Sequence, residues 1–228
     1  MSHSTIVKGE FVKIGNCNLY NIDCIELMKK YPDKHFDIAI VDPPFGIGAD
    51  WKKRKRNNYK ATSYTNNNIP CKNYFDELER VSKNYIIFGY NYFTEYLGST
   101  NHIIVWDKIA ADNIHISSHA ELAYSTFKKP MLVIRTPWDG GRKGKETGIK
   151  KIHPHQKPIE LYEKILIKFG KQGDLILDTH MGSGSIAIAC NKSNPNLLQA
   201  LGFELTAAEI DKIHYEDACG RLREYNRR

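Results

Sequence analysis

The chain has 228 residues, of which 33 are Lys or Arg and 26 are Asp or Glu, so its formal net charge is +7. The length predicts a single domain over residues 1–228, and a hydrophobic content of 41% excludes a wholly disordered or collagen-like chain. No apolar run approaches the ~20 residues of a membrane-spanning helix, and the five cysteines, never spaced as C-x-x-C, predict reduced thiols in a cytoplasmic protein.

Short apolar runs alternate with helical patterns in the first half of the chain. A helix is predicted over Asp23–Lys30, followed by a strand buried on both faces over Phe36–Val41. Two more strands are predicted over Tyr85–Phe88 and His102–Trp106, with a helix over Asn91–Leu97 between them.

The second half continues this alternation. Two β-rich runs predict a hairpin of Glu121–Phe127 with Met131–Thr136. The remaining elements are predicted as helix Pro158–Phe169, strand Asp174–Leu177, helix Gly184–Asn191, strand Leu198–Phe203 and helix Ala207–Glu224, the last with a capping box of Thr206 and Glu209. The pattern predicts an α/β fold, a three-layer sandwich around a mostly parallel sheet, with ligands bound beyond the carboxyl ends of the strands.

Basic residues concentrate in two polar segments. Residues 51–60 read WKKRKRNNYK, and residues 139–145 read DGGRKGK. The cations of interest are Lys52, Lys53, Arg54, Lys55, Arg56, Arg142 and Lys143. By itself the first pattern favours a solvated surface loop over a binding patch. Segments 50–70 and 108–150 are predicted to be loop or insert regions.

A glycine turn follows the strand that ends near residue 177. Gly182, Ser183 and Gly184 allow close backbone approach to a ligand, and the following helix supplies free N–H donors. Glu204 is predicted to end the next strand, where its carboxylate can accept two hydrogen bonds from a ribose diol. Asp178 beneath the turn suits an ammonium or sulfonium cation better than a pyrophosphate, which favours S-adenosyl-L-methionine over NAD.

A second turn, DPPFG at residues 42–46, follows the buried strand Phe36–Val41. Two prolines hold this turn extended with few free N–H groups. Asp42 and the carbonyl of Pro43, followed by Pro44, therefore offer two acceptors suited to an exocyclic amino group. Phe45 offers a flat apolar face for a planar heterocycle.

Together these segments resemble the DNA amino-methyltransferases. Residues 42–45 resemble their (D/N/S)-P-P-(Y/F/W) catalytic tetrapeptide, and residues 178–185 resemble their cofactor glycine loop. Asp23 resembles an Asp that contacts the cofactor adenine, and Glu204 resembles the ribose acid. Residues 153–158, HPHQKP, with Lys157, resemble the segment that closes over the methionine moiety. The catalytic motif precedes the glycine loop, which is the permuted order of the β group and implies a Rossmann-like methyltransferase fold.

The sequence departs from the family at the glycine loop and at the closing segment. Thr179-His180 replaces a common Pro-Phe, which assigns His180 to the cofactor site, and His155 replaces a usual Thr. Carboxylate or Cys partners at ligand spacing are missing around these histidines and His153, so no metal site is predicted.

The resemblance implies methyl transfer from S-adenosyl-L-methionine to an exocyclic amine of DNA, with the DPPF form favouring N6 of adenine. Asp42 and the Pro43 carbonyl would accept the two amine hydrogens, and Phe45 would stack on a base flipped out of the duplex. In that context the basic residues 52–56 favour contact with double-stranded DNA.

Four alternatives stay open at this point. The first is methylation of cytosine at N4 of DNA, and the second is methylation of RNA or of a protein amide. More distant readings are a non-catalytic nucleic-acid-binding protein of the same fold and an NAD-dependent enzyme. The target sequence, a homodimeric state and a role in restriction-modification, as an orphan enzyme or in a phage also stay open.

Overall fold

The structure, a computed structural model, describes residues 10–47, 68–109, 118–138, 142–191 and 202–227. Within these ranges one mixed sheet contains nine strands. In chain order they are β1 (Glu10–Ile14), β2 (Cys17–Asn21), β3 (Phe36–Val41), β4 (Ser82–Phe88), β5 (Ile103–Asp107), β6 (Ala120–Ser125), β7 (Leu132–Arg135), β8 (Leu175–Asp178) and β9 (Glu204–Ala208).

The helices of the described ranges cover both faces of this sheet. They are α1 (Cys24–Met28), α2 (Lys72–Val81), α3 (Thr94–Leu97), α4 (Ile159–Phe169), α5 (Ser185–Asn191) and α6 (Lys212–Asn226). Alternate residues of β3 enter two different buried clusters, Ile38 and Ile40 packing with α4, α5 and α6, and Ala39 and Val41 packing with α1 and α2. The predicted three-layer α/β sandwich is confirmed. No helix in these ranges is long and apolar enough to cross a membrane.

The strand order is β1-β2-β9-β8-β3-β4-β6-β5-β7. Strands β2, β9, β8, β3 and β4 are parallel, and β7 is parallel to β5. β6 is antiparallel to both of its neighbours, and β1 is antiparallel to β2. The prediction of a mostly parallel sheet is confirmed.

The predicted β-hairpin is wrong. β6 uses one edge to pair with β4 and the other to pair with β5, so β7 has no free edge of β6 to join. β7 instead extends the sheet beyond β5, where Val105 pairs with Leu122 on one side and with Val133 on the other. The segment 108–150 is therefore not a loop throughout, since it supplies two strands of the sheet.

The C-terminal elements begin later than predicted. β9 starts at Glu204, after the predicted strand Leu198–Phe203, most of which lies outside the described residues. The last helix starts at Lys212, and the side chain of Asp211 caps it by accepting from the backbone N of His214 at 3.0 Å. The predicted capping box of Thr206 and Glu209 is therefore wrong, because both residues precede the helix by several positions.

Candidate active site

The candidate site lies where the two central parallel strands end. α2 connects β3 to β4 on one face of the sheet, and α5 connects β8 to β9 on the other. Because the two crossovers leave adjacent strands toward opposite faces, a crevice opens beyond the carboxyl ends of β3 and β8. Asp42 follows β3 and Asp178 ends β8, so both predicted carboxylates border this crevice.

Asp42 presents two unequal carboxylate oxygens. Its Oδ2 lies 2.8 Å from the ammonium of Lys157, and the side chain is 14% exposed. Its Oδ1 is buried and has no hydrogen-bond partner among the described residues. Burial raises the pKa of Asp42 to about 6, against the lowering effect of Lys157. One oxygen is thus occupied, and the other is ready to accept a hydrogen bond.

Phe45 lies beside an aromatic group that follows β4. Its ring stacks on Tyr92 with centroids 5.1 Å apart and an interplanar angle of 13°, and it meets Phe93 edge to face. Gly89 has φ +82°, and a Cβ there would collide with the Phe45 ring. A glycine at this position therefore permits the ring to lie over the backbone.

The glycine turn after β8 is held in place by β9. The backbone N of Met181 donates to the carbonyl of Ala208 at 2.8 Å, and the backbone N of Gly182 donates to Glu209 Oε2 at 2.9 Å. Gly182 and Gly184 have φ of +52° and +69°, the left-handed region that favours glycine. The loop therefore needs both glycines, and its position depends on the end of β9.

Two buried carboxyl groups flank this turn. Asp178 Oδ1 accepts from the backbone N of His180 at 3.0 Å, and burial raises the pKa of Asp178 to about 8. Glu209 Oε1 also accepts from the backbone N of Asp211 at 2.9 Å, and burial raises the pKa of Glu209 to about 7. Such groups ionise at neutral pH when a cation is placed next to them.

Glu204 does not lie at this edge of the sheet, and the prediction that it ends a strand is wrong. It begins β9, pairs with Leu175 at the amino end of β8, and accepts from Asn18 Nδ2 at 2.7 Å. Glu209, which directly follows the last residue of β9, lies instead at the carboxyl edge where Glu204 was predicted to lie. The short apolar run from Leu205 to Ala208 immediately before Glu209 is the sequence signal for this strand.

Asp23 lies at the same edge, next to β9. It follows β2 and caps α1, its Oδ1 accepting from the backbone N of Ile25 at 2.8 Å. β2 is parallel to β9, and Asn21 Nδ2 donates to the carbonyl of Glu209 at 2.7 Å. Asp23 and Glu209 therefore both follow the carboxyl ends of adjacent strands.

His180 is half-buried beside the glycine turn. Its Nδ1 lies 2.9 Å from Thr179 Oγ1, which is also 2.7 Å from the hydroxyl of Tyr74, and the Tyr74 ring meets the imidazole edge to face. Burial lowers the pKa of His180 to about 4, so the imidazole is neutral at physiological pH. The residues that replace Pro-Phe thus form a packed, uncharged group.

Lys157 was predicted from sequence to be a cofactor-binding residue. In the structure it contacts Asp42 of the DPPFG turn directly. Its ammonium lies 2.8 Å from Asp42 Oδ2 and 2.8 Å from Glu121 Oε2, and Lys108 lies 3.0 Å from Glu121 Oε1. Glu121 and Lys108 were not among the predicted site residues. The amino end of β6 reaches this edge because β6 is antiparallel to β4, a pairing that no local pattern indicates.

Arg221 of α6 joins the cofactor loop to two other segments. Its Nη1 donates to the carbonyl of Ser183 and to Ser185 Oγ, both at 2.9 Å, and its Nη2 donates to Glu146 Oε2 at 2.9 Å. Ser185 Oγ in turn donates to the carbonyl of Lys157 at 2.7 Å. The glycine loop and the Lys157 segment are therefore fixed to the same buried network.

The predicted DNA-contacting residues are placed only in part. Lys52, Lys53, Arg54, Lys55 and Arg56 lie outside the described residues. Arg142 is exposed, and Lys143 Nζ donates to the carbonyl of Ile149 at 2.7 Å, which closes its own loop. No contact in the described ranges joins Arg142 or Lys143 to the crevice. The described residues also contain no group of three or more His, Cys, Asp or Glu side chains arranged to hold a metal ion.

A family model described as DNA methylase, of the N6/N4 type, matches residues 128–215. That range contains Lys157, the glycine turn and Glu209, and Asp42 precedes it.

Two curated relatives are type II methyltransferases. M.HpaI of Haemophilus parainfluenzae is 34% identical over 73 residues, which are 32% of this chain and 21% of that protein. M.BamHI of Bacillus amyloliquefaciens is 24% identical over 241 residues, covering 85% of this chain and 56% of that protein. The chain thus spans about a fifth of M.HpaI and a little over half of M.BamHI.

Solved structures share the fold. The M1.HpyAVI–SAM complex has a TM-score of 0.54 and 22% identity, covering 90% of this chain and 99% of that one. The PvuII DNA methyltransferase, described as cytosine-N4-specific, has a TM-score of 0.55 and 13% identity over 96% of each chain. The predicted Rossmann-like methyltransferase fold is confirmed; the permuted subtype stays a prediction.

Proposed function

We propose that this chain, in which a model of the N6/N4 DNA methylases matches residues 128–215, methylates an exocyclic amino group of DNA, and specifically N6 of adenine. The observation that supports this proposal most strongly is the Asp42 carboxylate. Lys157 occupies one of its oxygens at 2.8 Å, and the other is buried without a partner among the described residues. A buried acceptor without a donor is costly, so a substrate hydrogen is the natural partner for it.

The residues at the ends of β8 and β9 fit S-adenosyl-L-methionine. This cofactor supplies a methyl group activated on a sulfonium. The buried carboxyl groups of Asp178 and Glu209 have pKa values raised to about 8 and about 7, and a cationic ligand favours their ionised forms. We assign Asp178 to the cationic moiety, Glu209 to the ribose and Asp23 to the adenine, with the Gly182–Gly184 backbone against the cofactor.

Asp42 would act on the amine rather than on the methyl group. An aromatic amine is a poor nucleophile because its lone pair is delocalised into the ring. When Asp42 Oδ1 and the carbonyl of Pro43 accept its two hydrogens, the nitrogen can become tetrahedral and its lone pair is localised. A pKa of about 6 makes Asp42 a weak base at neutral pH, which suits an acceptor that takes a proton after transfer.

Phe45 would hold the target base by stacking. Tyr92, which is 40% exposed, covers one face of the Phe45 ring at 5.1 Å, so a flat base would take the place of Tyr92 on that face. The amino group of a paired base is inaccessible to such a turn, so the base must leave the duplex, at a cost of a few kcal/mol that contacts to phosphates offset. We assign those contacts to residues 52–56 and to Arg142 and Lys143, with double-stranded DNA as partner.

A labelling experiment tests the proposal. The protein is incubated with methyl-labelled S-adenosyl-L-methionine and unmethylated genomic DNA, the DNA is digested to nucleosides, and the labelled nucleoside is identified. We expect N6-methyldeoxyadenosine. Label on N4 of deoxycytidine would refute the choice of adenine and leave the chemistry intact, whereas the absence of label in DNA, with label in RNA or protein, would refute DNA as substrate.

A further inference from the structure

Four charged side chains of alternating sign form a line that ends at Asp42. Lys108 lies 3.0 Å from Glu121 Oε1, Glu121 Oε2 lies 2.8 Å from the ammonium of Lys157, and that ammonium lies 2.8 Å from Asp42 Oδ2. Lys108 directly follows β5, Glu121 belongs to β6, Lys157 lies in the segment before α4, and Asp42 lies in the turn after β3. The line therefore joins the antiparallel part of the sheet to the catalytic turn.

The line is largely shielded from solvent, and it is most deeply buried at Lys157. The side chains of Lys157 and Asp42 are 5% and 14% exposed, and those of Lys108 and Glu121 are 15% and 23% exposed. Buried charges are costly unless each has an oppositely charged partner, and breaking one such pair leaves the other charge unpaired. Each inner member, Glu121 and Lys157, has one opposite charge on either side, so neither can be lost without affecting the others.

Aromatic rings restrict the position of the Lys157 ammonium. It lies 4.8 Å from the ring centroid of Phe88, 5.5 Å from that of Trp106 and 5.7 Å from that of Phe45. These rings and Glu121 together leave the ammonium little freedom to move away from Asp42. Lys157 is therefore held against one carboxylate oxygen, which leaves Oδ1 as the oxygen without a partner in the described residues.

We propose that Glu121 and Lys108 are positioning residues that act on Asp42 through Lys157. The Lys157 ammonium is paired with both Glu121 and Asp42. The positive charge of Lys108 weakens the attraction of Glu121 for Lys157. The pair thereby sets how strongly Lys157 binds Asp42, and so how good a hydrogen-bond acceptor the free oxygen is. This inference rests on the proposed function for its consequence in catalysis, but the electrostatic relation can be measured without it.

The proposal predicts opposite effects for the two residues. Burial has the largest effect on the pKa of Asp42 and raises it; Lys157 lowers it, Glu121 raises it and Lys108 lowers it. Glu121→Gln should therefore lower the pKa of Asp42, since Lys157 is left to Asp42 alone. Lys108→Gln should raise it, since Glu121 then attracts Lys157 more strongly. Each variant should change the pKa of Asp42 by about 0.5–1, which is less than the change of ~1–3 produced by a charge in direct contact.

The other ionisable groups around Asp42 are the same in both variants. Asp178 of β8, Tyr74 of α2 and Tyr162 of α4 also interact electrostatically with Asp42. His155 also interacts electrostatically with Lys157 and Glu121, and it is retained in both variants. None of these groups would produce shifts of opposite sign.

Two readouts test the proposal on the full chain. The first is the acid limb of kcat/KM for methylation of unmethylated DNA, which reports ionisation in the free enzyme. The second is the titration of the Asp42 carboxyl carbon by NMR on protein labelled with carbon-13 at Asp, assigned with Asp42→Asn. We expect Glu121→Gln and Lys108→Gln to shift both readouts in opposite directions, and the double variant to lie between them.

Matched controls are Lys83→Gln and Glu10→Gln, which break the Lys83–Asp37 and Lys212–Glu10 ion pairs away from the crevice and should shift neither readout. Shifts in the same direction, or no shift in variants whose thermal melting shows a folded protein, would overturn the proposal. If the unmodified protein transfers no label, the proposed function fails, and the carboxyl titration still decides whether Glu121 and Lys108 act on Asp42.

Discussion

Binding of S-adenosyl-L-methionine should tighten as the pH rises, because the site must ionise carboxyl groups whose burial opposes it. Burial raises the pKa of Asp178 to about 8 and that of Glu209 to about 7. A carboxyl group with a raised pKa stays protonated below it, so a cationic ligand binds more weakly as the pH falls through that value. From about pH 6 to about pH 7.5 the ionised fraction of Asp178 alone grows roughly 20-fold, and the dissociation constant should fall by a similar factor.

Isothermal titration calorimetry in buffers of different ionisation enthalpy measures both the affinity and the protons released. The range from about pH 6 to about pH 7.5 lies below the pKa of about 8 of an ordinary α-amino group, so the amino group of S-adenosyl-L-methionine itself titrates little. Asp178→Asn should bind more weakly with a flatter pH dependence. An affinity that stays constant over the range, or proton uptake on binding, would refute the assignment of Asp178 to the cationic moiety.

Three further changes separate the parts of the site. Glu209→Gln should weaken cofactor binding by ~10–100-fold, the equivalent of the ~1.5–3 kcal/mol of one hydrogen bond to a charged group; Glu204→Gln at the opposite edge should not, and equal losses in calorimetry would contradict the reassignment. Replacing Arg142 and Lys143 with Ala should make the dependence of the DNA association constant on salt shallower: the slope of log K against log salt concentration should become less negative by about 2. An unchanged slope in fluorescence anisotropy would exclude both residues from the interface. Gly89→Ala should slow methylation without weakening cofactor binding, because the added Cβ would collide with the ring of Phe45. An unchanged methylation rate would contradict a role for the position of the Phe45 ring.

The fold class and the position of the catalytic turn were predictable because the central strands are the most apolar segments. β3, FDIAIV, is covered on both faces by helices, so its sequence is a continuous apolar run rather than an alternating one. A buried strand followed directly by Asp42 and two prolines places that carboxylate at the carboxyl edge of the sheet. The same reasoning placed Asp178 correctly at the carboxyl end of β8.

The errors arose where local patterns compete or where tertiary pairing decides. The apolar run from Leu198 to Phe203 competed with the shorter run that forms β9. The carboxylate predicted to follow the strand was therefore Glu204, whereas Glu209 follows β9 in the structure. The edge strand β1 and its neighbour β2 are partly exposed and lack a continuous apolar run. Lys157 and Asp42 are far apart in sequence. Glu121 pairs with Lys157 because the sheet order places β6 beside β4, and no local sequence pattern indicates that order.

α2 was missed although its pattern was present. The helix buries Tyr74, Phe75, Leu78 and Val81, which recur at helical spacing along one face. This helix packs against the face of β3 that carries Ala39 and Val41, and the hydroxyl of Tyr74 reaches Thr179 beside the cofactor loop.

The most direct test of the account compares Asp42→Asn with the unmodified protein in single-turnover methylation of DNA and in binding of S-adenosyl-L-methionine. The amide nearly preserves the shape of the carboxylate but removes its charge and one acceptor. The account predicts a methylation rate lower by on the order of 10²–10⁴-fold, as for loss of a group that accepts a proton in the reaction, with cofactor affinity within about twofold. Methylation at the unmodified rate would contradict the central role of the Asp42 carboxylate.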